Sequence, residues 1–95
     1  MSEACDISVI VPCYNANRYL NICLESLKAQ RVPNIEMIFI DDGSTDSTGA
    51  ILDAFARAES RARVVHVRNE GDWGARNRGI SKATGRNIAF EDGED

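Results

Sequence analysis

The sequence predicts an α/β fold: a Rossmann-like three-layer half-sheet of about four parallel strands, ordered βαβαβαβ, with helices on both faces. Three observations carry this. Short apolar runs alternate with stretches whose apolar residues recur every three or four positions. The run Ile35-Glu36-Met37-Ile38-Phe39-Ile40 is apolar enough to be buried on both faces, as central strands of parallel sheets are. That run ends abruptly in Asp41-Asp42-Gly43-Ser44-Thr45-Asp46, at a strand's carboxyl end, where open α/β sheets bind ligands.

Taken in order, Asp6 to Val11 reads as the first strand, ended by Pro12, which cannot donate to a ladder. Tyr14 to Asn17 is a loop. Tyr19 to about Gln30 is helical, with Tyr19, Leu20, Cys23, Leu24 and Leu27 on one face and Asn17 as the expected N-cap. Pro33 and Asn34 break that pattern. Glu36 to Ile40 is the second strand. Asp46 or Ser47 caps a second helix with Ile51, Leu52, Phe55 and Ala58 as its stripe, and Gly49 weakens its first turn. Arg63 to Val67 is the third strand and Asn69 to Gly74 a loop. A third helix runs from Ala75 to about Ala83, stopped near Gly85. Asn87 to Phe90 is the fourth strand. Right-handed crossovers then put every strand's carboxyl end on one edge.

Composition bounds the rest. Ninety-five residues make one domain, 1–95, with a modest core. A charged fraction of 27% and a hydrophobic fraction of 43% are ordinary for a globular chain. The formal charge of −4 argues against nucleic acid as partner, and an anionic ligand needs a cation to mediate its contact. The three cysteines, Cys5, Cys13 and Cys23, have neither disulfide nor zinc spacing and read as free thiols in a reducing cytoplasm. No apolar run is long enough to span a bilayer.

Each candidate motif has a bland and a chemical reading. Pro12-Cys13-Tyr14-Asn15 is a turn, or a rigid loop that offers an aromatic face to a planar base. Asp41-Asp42-Gly43-Ser44 is a turn and cap, or a carboxylate pair with one member inward and the other on a ligand donor such as an imide N–H. Gly71 to Gly79 opens the third helix, where Arg76 or Arg78 is either solvated or meets a phosphate or base. Trp73 reads as a hydrophobic contact, and His66 as a strand residue facing solvent or a helix. Glu91-Asp92-Gly93-Glu94-Asp95 is an acidic terminus, or a Mg²⁺ or Mn²⁺ site shared with substrate phosphates.

Taken together, Ser8 to Asn15, the leucine-rich helix, Ile40 to Asp46, and Ala75-Arg76-Asn77-Arg78-Gly79-Ile80 with Ala83-Thr84-Gly85 resemble the inverting family-2 glycosyltransferases of the GT-A fold. The likeness runs almost end to end. It implies a nucleotide-diphosphate sugar as donor, a UDP-sugar foremost, and a divalent metal. It implies that Pro12 and Tyr14, with Asn15 beside them, line the base pocket, that Asp42 (next to Asp41) accepts from the base, and that Arg76 lies beside the nucleotide. Asp92 would contact ribose or the metal shell, and Glu94 stands where the second aspartate of the family's Asp-x-Asp motif binds metal. Glu94 in place of aspartate, Glu91 at a usually apolar position, and Glu70 and Trp73 where small residues are common are departures from the pattern.

In that family the acceptor site and catalytic base follow the Asp-x-Asp motif, so the resemblance implies a donor-binding half that turns over poorly alone. The fourth strand is then expected as an open edge that pairs with a second copy through residues 87–90. Two other readings compete: a fold-retaining interaction fragment, and a receiver-type signalling domain, which would need acids where Pro12-Cys13-Tyr14-Asn15 stands.

Overall fold

The computed structural model describes residues 5–30 and 34–91. The elements are β1 (Ile7–Cys13), α1 (Leu20–Lys28), β2 (Ile35–Asp42), α2 (Thr48–Ala58), β3 (Ala62–Val67), α3 (Gly71–Lys82) and β4 (Asn87–Phe90). The four strands form one parallel sheet in the order β3-β2-β1-β4. The first two crossovers step from β1 to β2 to β3. The third returns past both to place β4 on the other side of β1. The chain thus reverses direction across the sheet at β1, which is the switch point of a doubly wound fold.

Strand alternation sorts the core into two layers. Val9, Val11, Met37 and Phe39 face the side that carries α1 and α2, where they bury Leu20, Leu24, Leu27 and Leu52. Phe39 meets Phe55 of α2 edge-to-face, ring centroids 5.7 Å apart. Ile10, Ile38 and Ile40 face the other side and pack against Ala75 of α3. The central strands β1 and β2 are therefore covered on both faces, which is why they read as nearly continuous apolar runs. α3 lies so close to β1 that a Cβ at Gly79 would stand 2.3 Å from Ile10 Cγ2.

Several boundaries depart from the sequence expectation. Pro12 does not end β1: the strand runs through it to Cys13, with Pro12 opposite Ile40 and Cys13 opposite Asp41 in the register with β2. β2 extends through Asp41 and Asp42, so both carboxylates belong to the strand itself. Asn17 does not cap α1: the N-cap position is Tyr19, and the Asn17 amide donates instead to Ser47 Oγ at 3.1 Å. α3 begins at Gly71, four residues before the expected start at Ala75, because a carboxylate from β2 receives the N–H groups at its beginning. At the start of α2, Ser47 holds the N-cap position, while Asp46 Oδ1 accepts from Thr48 N at 2.9 Å. Trp73, expected to pack, is 78% exposed on α3.

A polar cluster at the amino ends of the strands ties the α3–β4 turn to the sheet. Ser8 Oγ donates to Glu36 Oε2 at 2.5 Å and accepts from Gly85 N at 2.8 Å. The same Glu36 oxygen accepts from Thr84 N at 2.7 Å and Thr84 Oγ1 at 3.0 Å. Burial pushes the Glu36 carboxyl up, but the hydrogen bonds from Ser8 and Thr84 and the charge of Arg63 outweigh it, so the group lies below its ordinary 4.5.

Two outcomes follow. Gly79→Ala should destabilise the fold by about 1–3 kcal/mol through overpacking against Ile10, read as a lower urea midpoint with unchanged slope. A carboxyl whose folded pKa is depressed stabilises above its unfolded pKa and loses that contribution as pH falls through the folded value. Glu36→Gln should therefore be less stable than the parent at pH 7, and the gap should close as the solution is acidified below about pH 4. A gap that persists unchanged at low pH would show that the charge is not what stabilises the cluster.

Candidate functional site

The carboxyl edge of the sheet is built by lacing two loops together. Asn15, at φ +46°, closes the loop after β1. Its backbone N donates to Ser44 Oγ at 3.0 Å, and its side-chain Oδ1 accepts from Thr45 N at 2.8 Å. Ala16 N donates to Thr48 Oγ1 at 2.8 Å, and Asn17 N to Asp46 Oδ2 at 3.4 Å. Thr48 and Ala16 are fully buried. The loops after β1 and β2 thus share their hydrogen bonds, and Tyr14 projects from a seat fixed on both sides.

The two adjacent carboxylates at the end of β2 part company, because neighbouring strand residues face opposite ways. Asp41 points toward α2, 6% exposed, with Ser44 N on Oδ1 at 3.2 Å and His66 Nδ1 on Oδ2 at 2.8 Å. Asp42 points toward α3, 5% exposed; Glu70 N donates to its Oδ1, and Gly71 N to its Oδ2 at 2.8 Å. A carboxylate from β2 therefore caps α3, satisfying donors that a helix start leaves orphaned and facing the positive end of the helix dipole. Each carboxylate oxygen has two acceptor positions, so Asp42 keeps capacity for a further donor.

A cleft of about 220 Å³ opens at this edge. Pro12, Cys13 and Tyr14 from the end of β1 form one wall, Asp42 the floor, and Asn69, Gly71, Asp72 and Ala75 the wall from the β3–α3 junction. It holds an aromatic ring that is 43% exposed, a carboxylate and the first turn of a helix, a set suited to a planar group bearing N–H donors.

Of the residues the sequence singled out, Pro12, Tyr14 and Asp42 line this cleft. Asn15 and Asp41 stand behind it and hold its frame. Arg76 lies farther along α3, beside a second groove lined by Asp72, Trp73, Arg76, Ile80 and Phe90. Its Nε donates to Asp72 Oδ2 at 2.7 Å and its guanidinium stacks 4.9 Å from the Phe90 ring centroid. Arg78 pairs with Glu70, Nη2 to Oε2 at 2.9 Å, which holds the Glu70 carboxyl below its usual range. Asp92 and Glu94 lie outside the described residues. Among the described residues no group of three or more His, Cys, Asp or Glu is placed to hold a metal ion.

Sequence reasoning missed Asp72, Asn69 and Ala75 as cleft residues, because it took the helix to begin only at Ala75. It also missed the pairing of His66, which joins Asp41 to Asp53 Oδ1 of α2 at 2.9 Å. The available signal was positional: His66 stands opposite Asp41 in the β2–β3 register.

The sequence profile described as "Glycosyl transferase family 2" matches residues 8–95. Glycosyltransferase GlyG of Streptococcus pneumoniae is 48% identical over 96 residues, covering 100% of this chain and 31% of that protein. The crystal structure of S. aureus TarS in complex with UDP-GlcNAc superposes with a TM-score of 0.85 at 32% identity, over 94% of this chain and 26% of the other. The mannosyltransferase PcManGT from Pyrobaculum calidifontis, in complex with GDP-Man and Mn²⁺, superposes with a TM-score of 0.85 at 26% identity, over 93% of this chain and 27% of the other. The chain spans about a third of the length of GlyG.

Asp42→Asn should loosen the start of α3. An amide has one acceptor oxygen, so one of the two N–H groups would face an NH₂, at a cost of roughly 1–3 kcal/mol. Hydrogen exchange at Glu70 and Gly71 should accelerate while exchange in α1 stays as it was. Equal acceleration in both helices would mean the carboxylate is not a local cap.

Proposed function

The chain belongs to glycosyl transferase family 2, and from that premise we propose that it binds the donor of an inverting glycosyl transfer, a nucleotide-diphosphate sugar. The observation that carries the reading is the convergence of Pro12, Tyr14 and Asp42 on one cleft at the sheet's switch point. In this reading Tyr14 offers its ring face to the base, and Asp42, already fixed by two backbone donors, accepts an imide N–H. Pro12 closes the wall, while Asn15 and Asp41 keep Tyr14 and the Ser44 turn in register. Arg76, on the same helix, lies beside the phosphates. Uracil has an imide N–H to donate, so a UDP-sugar is the proposed donor, and the UDP-GlcNAc bound by TarS supports that choice.

Asp92 and Glu94 are the proposed contacts to a divalent metal, Mg²⁺ or Mn²⁺, supported by the Mn²⁺ in the PcManGT complex. When bound, such an ion supplies positive charge that neutralises the leaving diphosphate. It also reconciles a chain of formal charge −4 with an anionic ligand. Transfer with inversion further needs a general base for the acceptor hydroxyl, and none of the residues named here is assigned that task. The 95 residues are proposed to hold donor and leaving group, with weak turnover or none by themselves. A reducing, cytoplasmic setting is proposed, supported by three cysteines whose spacing fits neither a disulfide framework nor a zinc site. Among the described residues no helix is long and apolar enough to cross a membrane.

All four residues of β4 are exposed, and among the described residues the strand pairs with β1 alone. Pairing of two copies through residues 87–90 is proposed for the 95-residue chain on that basis. Sedimentation should show a concentration-dependent dimer that Ile88→Lys abolishes, and a monomer at every concentration would remove the idea.

Titration with UDP and Mn²⁺ tests the donor reading. Amide shifts should move at Tyr14, Asp42 and Gly71. Tyr14→Ala should weaken UDP by about 2- to 13-fold, the equivalent of about 0.5–1.5 kcal/mol of ring contact. Shifts with GDP but not UDP would reassign the base. Silence with both, with and without metal, would leave the alternative of a fold-retaining interaction fragment.

A further inference from the structure

His66 lies outside the cleft, and nothing in the donor reading uses it. Yet both of its ring nitrogens end on carboxylates: Nδ1 on Asp41 Oδ2 at 2.8 Å and Nε2 on Asp53 Oδ1 at 2.9 Å. A neutral imidazole has one N–H, so one of these contacts would set a lone pair against a carboxylate. Only the imidazolium donates to both. The ring is half exposed and Asp41 is buried, so solvent protons reach one end of a pair whose other end is locked in the fold. β2 and α2 are the elements packed most extensively against β3. The charged groups that act on the ring from them are Asp41 and Asp53, and both favour its charged form. The packing is close: a Cβ at Gly49, in the first turn of α2, would stand 2.8 Å from Asp41 Oδ2 and 3.4 Å from His66 Cε1.

From Asp41 the contacts run on to the cleft. Its other oxygen accepts from Ser44 N at 3.2 Å, Ser44 Oγ accepts from Asn15 N at 3.0 Å, and Asn15 follows Tyr14 in the chain. We propose that His66 is a proton-operated positioning residue for the donor site. When charged, it locks Asp41 between α2 and the Ser44 turn and so holds the loop that carries Tyr14. When neutral, it releases one carboxylate and lets that loop move. The structural half of this proposal stands on the Asp53–His66–Asp41–Ser44–Asn15 chain alone. Its effect on ligand affinity rests on the nucleotide-binding reading above.

The direction follows from the two carboxylates. Hydrogen bonds from Asp53 first, and then Asp41, raise the His66 pKa above its ordinary 6.5. A group with a raised folded pKa contributes fully below the unfolded value and loses that contribution as pH rises through the folded one. The lock is therefore closed in mild acid and opens with rising pH.

The chain has one histidine, so its ring proton signals report His66 alone. NMR should show the Asn15, Ser44 and Thr45 amides titrating with the midpoint of the ring. Between about pH 6 and pH 9 the parent should lose at least about fivefold in UDP affinity relative to His66→Gln, in which the ionisation of UDP itself is common and cancels. Saturating UDP should raise the ring midpoint by about 0.7 of a pH unit, the same fivefold factor read from the other side of the linkage. Asp53→Asn, a surface change remote from the cleft, should move both the ring and the loop midpoints to lower pH. Loop amides that ignore the ring's titration would overturn the proposal, as would UDP binding that leaves the midpoint where it was. If UDP fails to bind at all, the donor reading falls while the amide titrations still decide whether the lock exists.

Discussion

The structure depends on one constraint: adjacent residues of a strand face opposite sides of the sheet. At the end of β2 this sends Asp41 into the α2 layer and Asp42 into the α3 layer. Two negative charges side by side would otherwise repel in a partly desolvated place. Here each is given its own set of donors on its own face, and among the described residues no buried side-chain nitrogen or oxygen lacks a partner. The separation also divides labour. Asp41 fastens the strand to the helix behind it and to the turn that follows. Asp42 fastens the start of α3 and forms the floor of the cleft.

The same constraint explains what was legible in the sequence. Alternating periodicities revealed all seven elements and the α/β class, because β1 and β2 are buried on both sides and the helices bury one stripe each. The fourth strand was found at its observed bounds, Asn87–Phe90, since it is a short apolar run set between the turn at Gly85 and the charged Glu91. Pro12 and Tyr14 could be placed near the sheet's carboxyl edge, but not the end of β1 itself, which runs through Pro12 to Cys13 because the pairing with β2 continues to Asp41. The beginning of α3 was not legible either. A glycine-rich stretch beginning Gly71-Asp72-Trp73-Gly74 has poor intrinsic helix propensity, and the carboxylate that starts the helix comes from residue 42. No window of sequence contains both.

The cap of α1 was misread for a related reason. Asn17 has the chemistry of an N-cap, but in the fold its amide has a better-placed acceptor across the loop, Ser47 Oγ. Side chains such as Asn and Ser trade local for tertiary hydrogen bonds at little cost, so their partners are set by the packing of two loops. His66 is a further case. A lone histidine in a strand is unremarkable until the register puts Asp41 opposite and α2 brings Asp53 to its far nitrogen.

The strand order carries a consequence for assembly. β1 sits between β2, which follows it directly after one helix, and β4, whose pairing joins residue 7 to residue 87. As the chain emerges from synthesis, β1, β2 and β3 can zip together in turn, each with a nearby partner. One flank of β1 must wait, its N–H and C=O groups open, until residues 87–90 arrive to close the longest loop in the fold. Ser8, which anchors Gly85 at the head of that last strand, stands at the point where the nascent sheet would be completed or captured by a foreign strand.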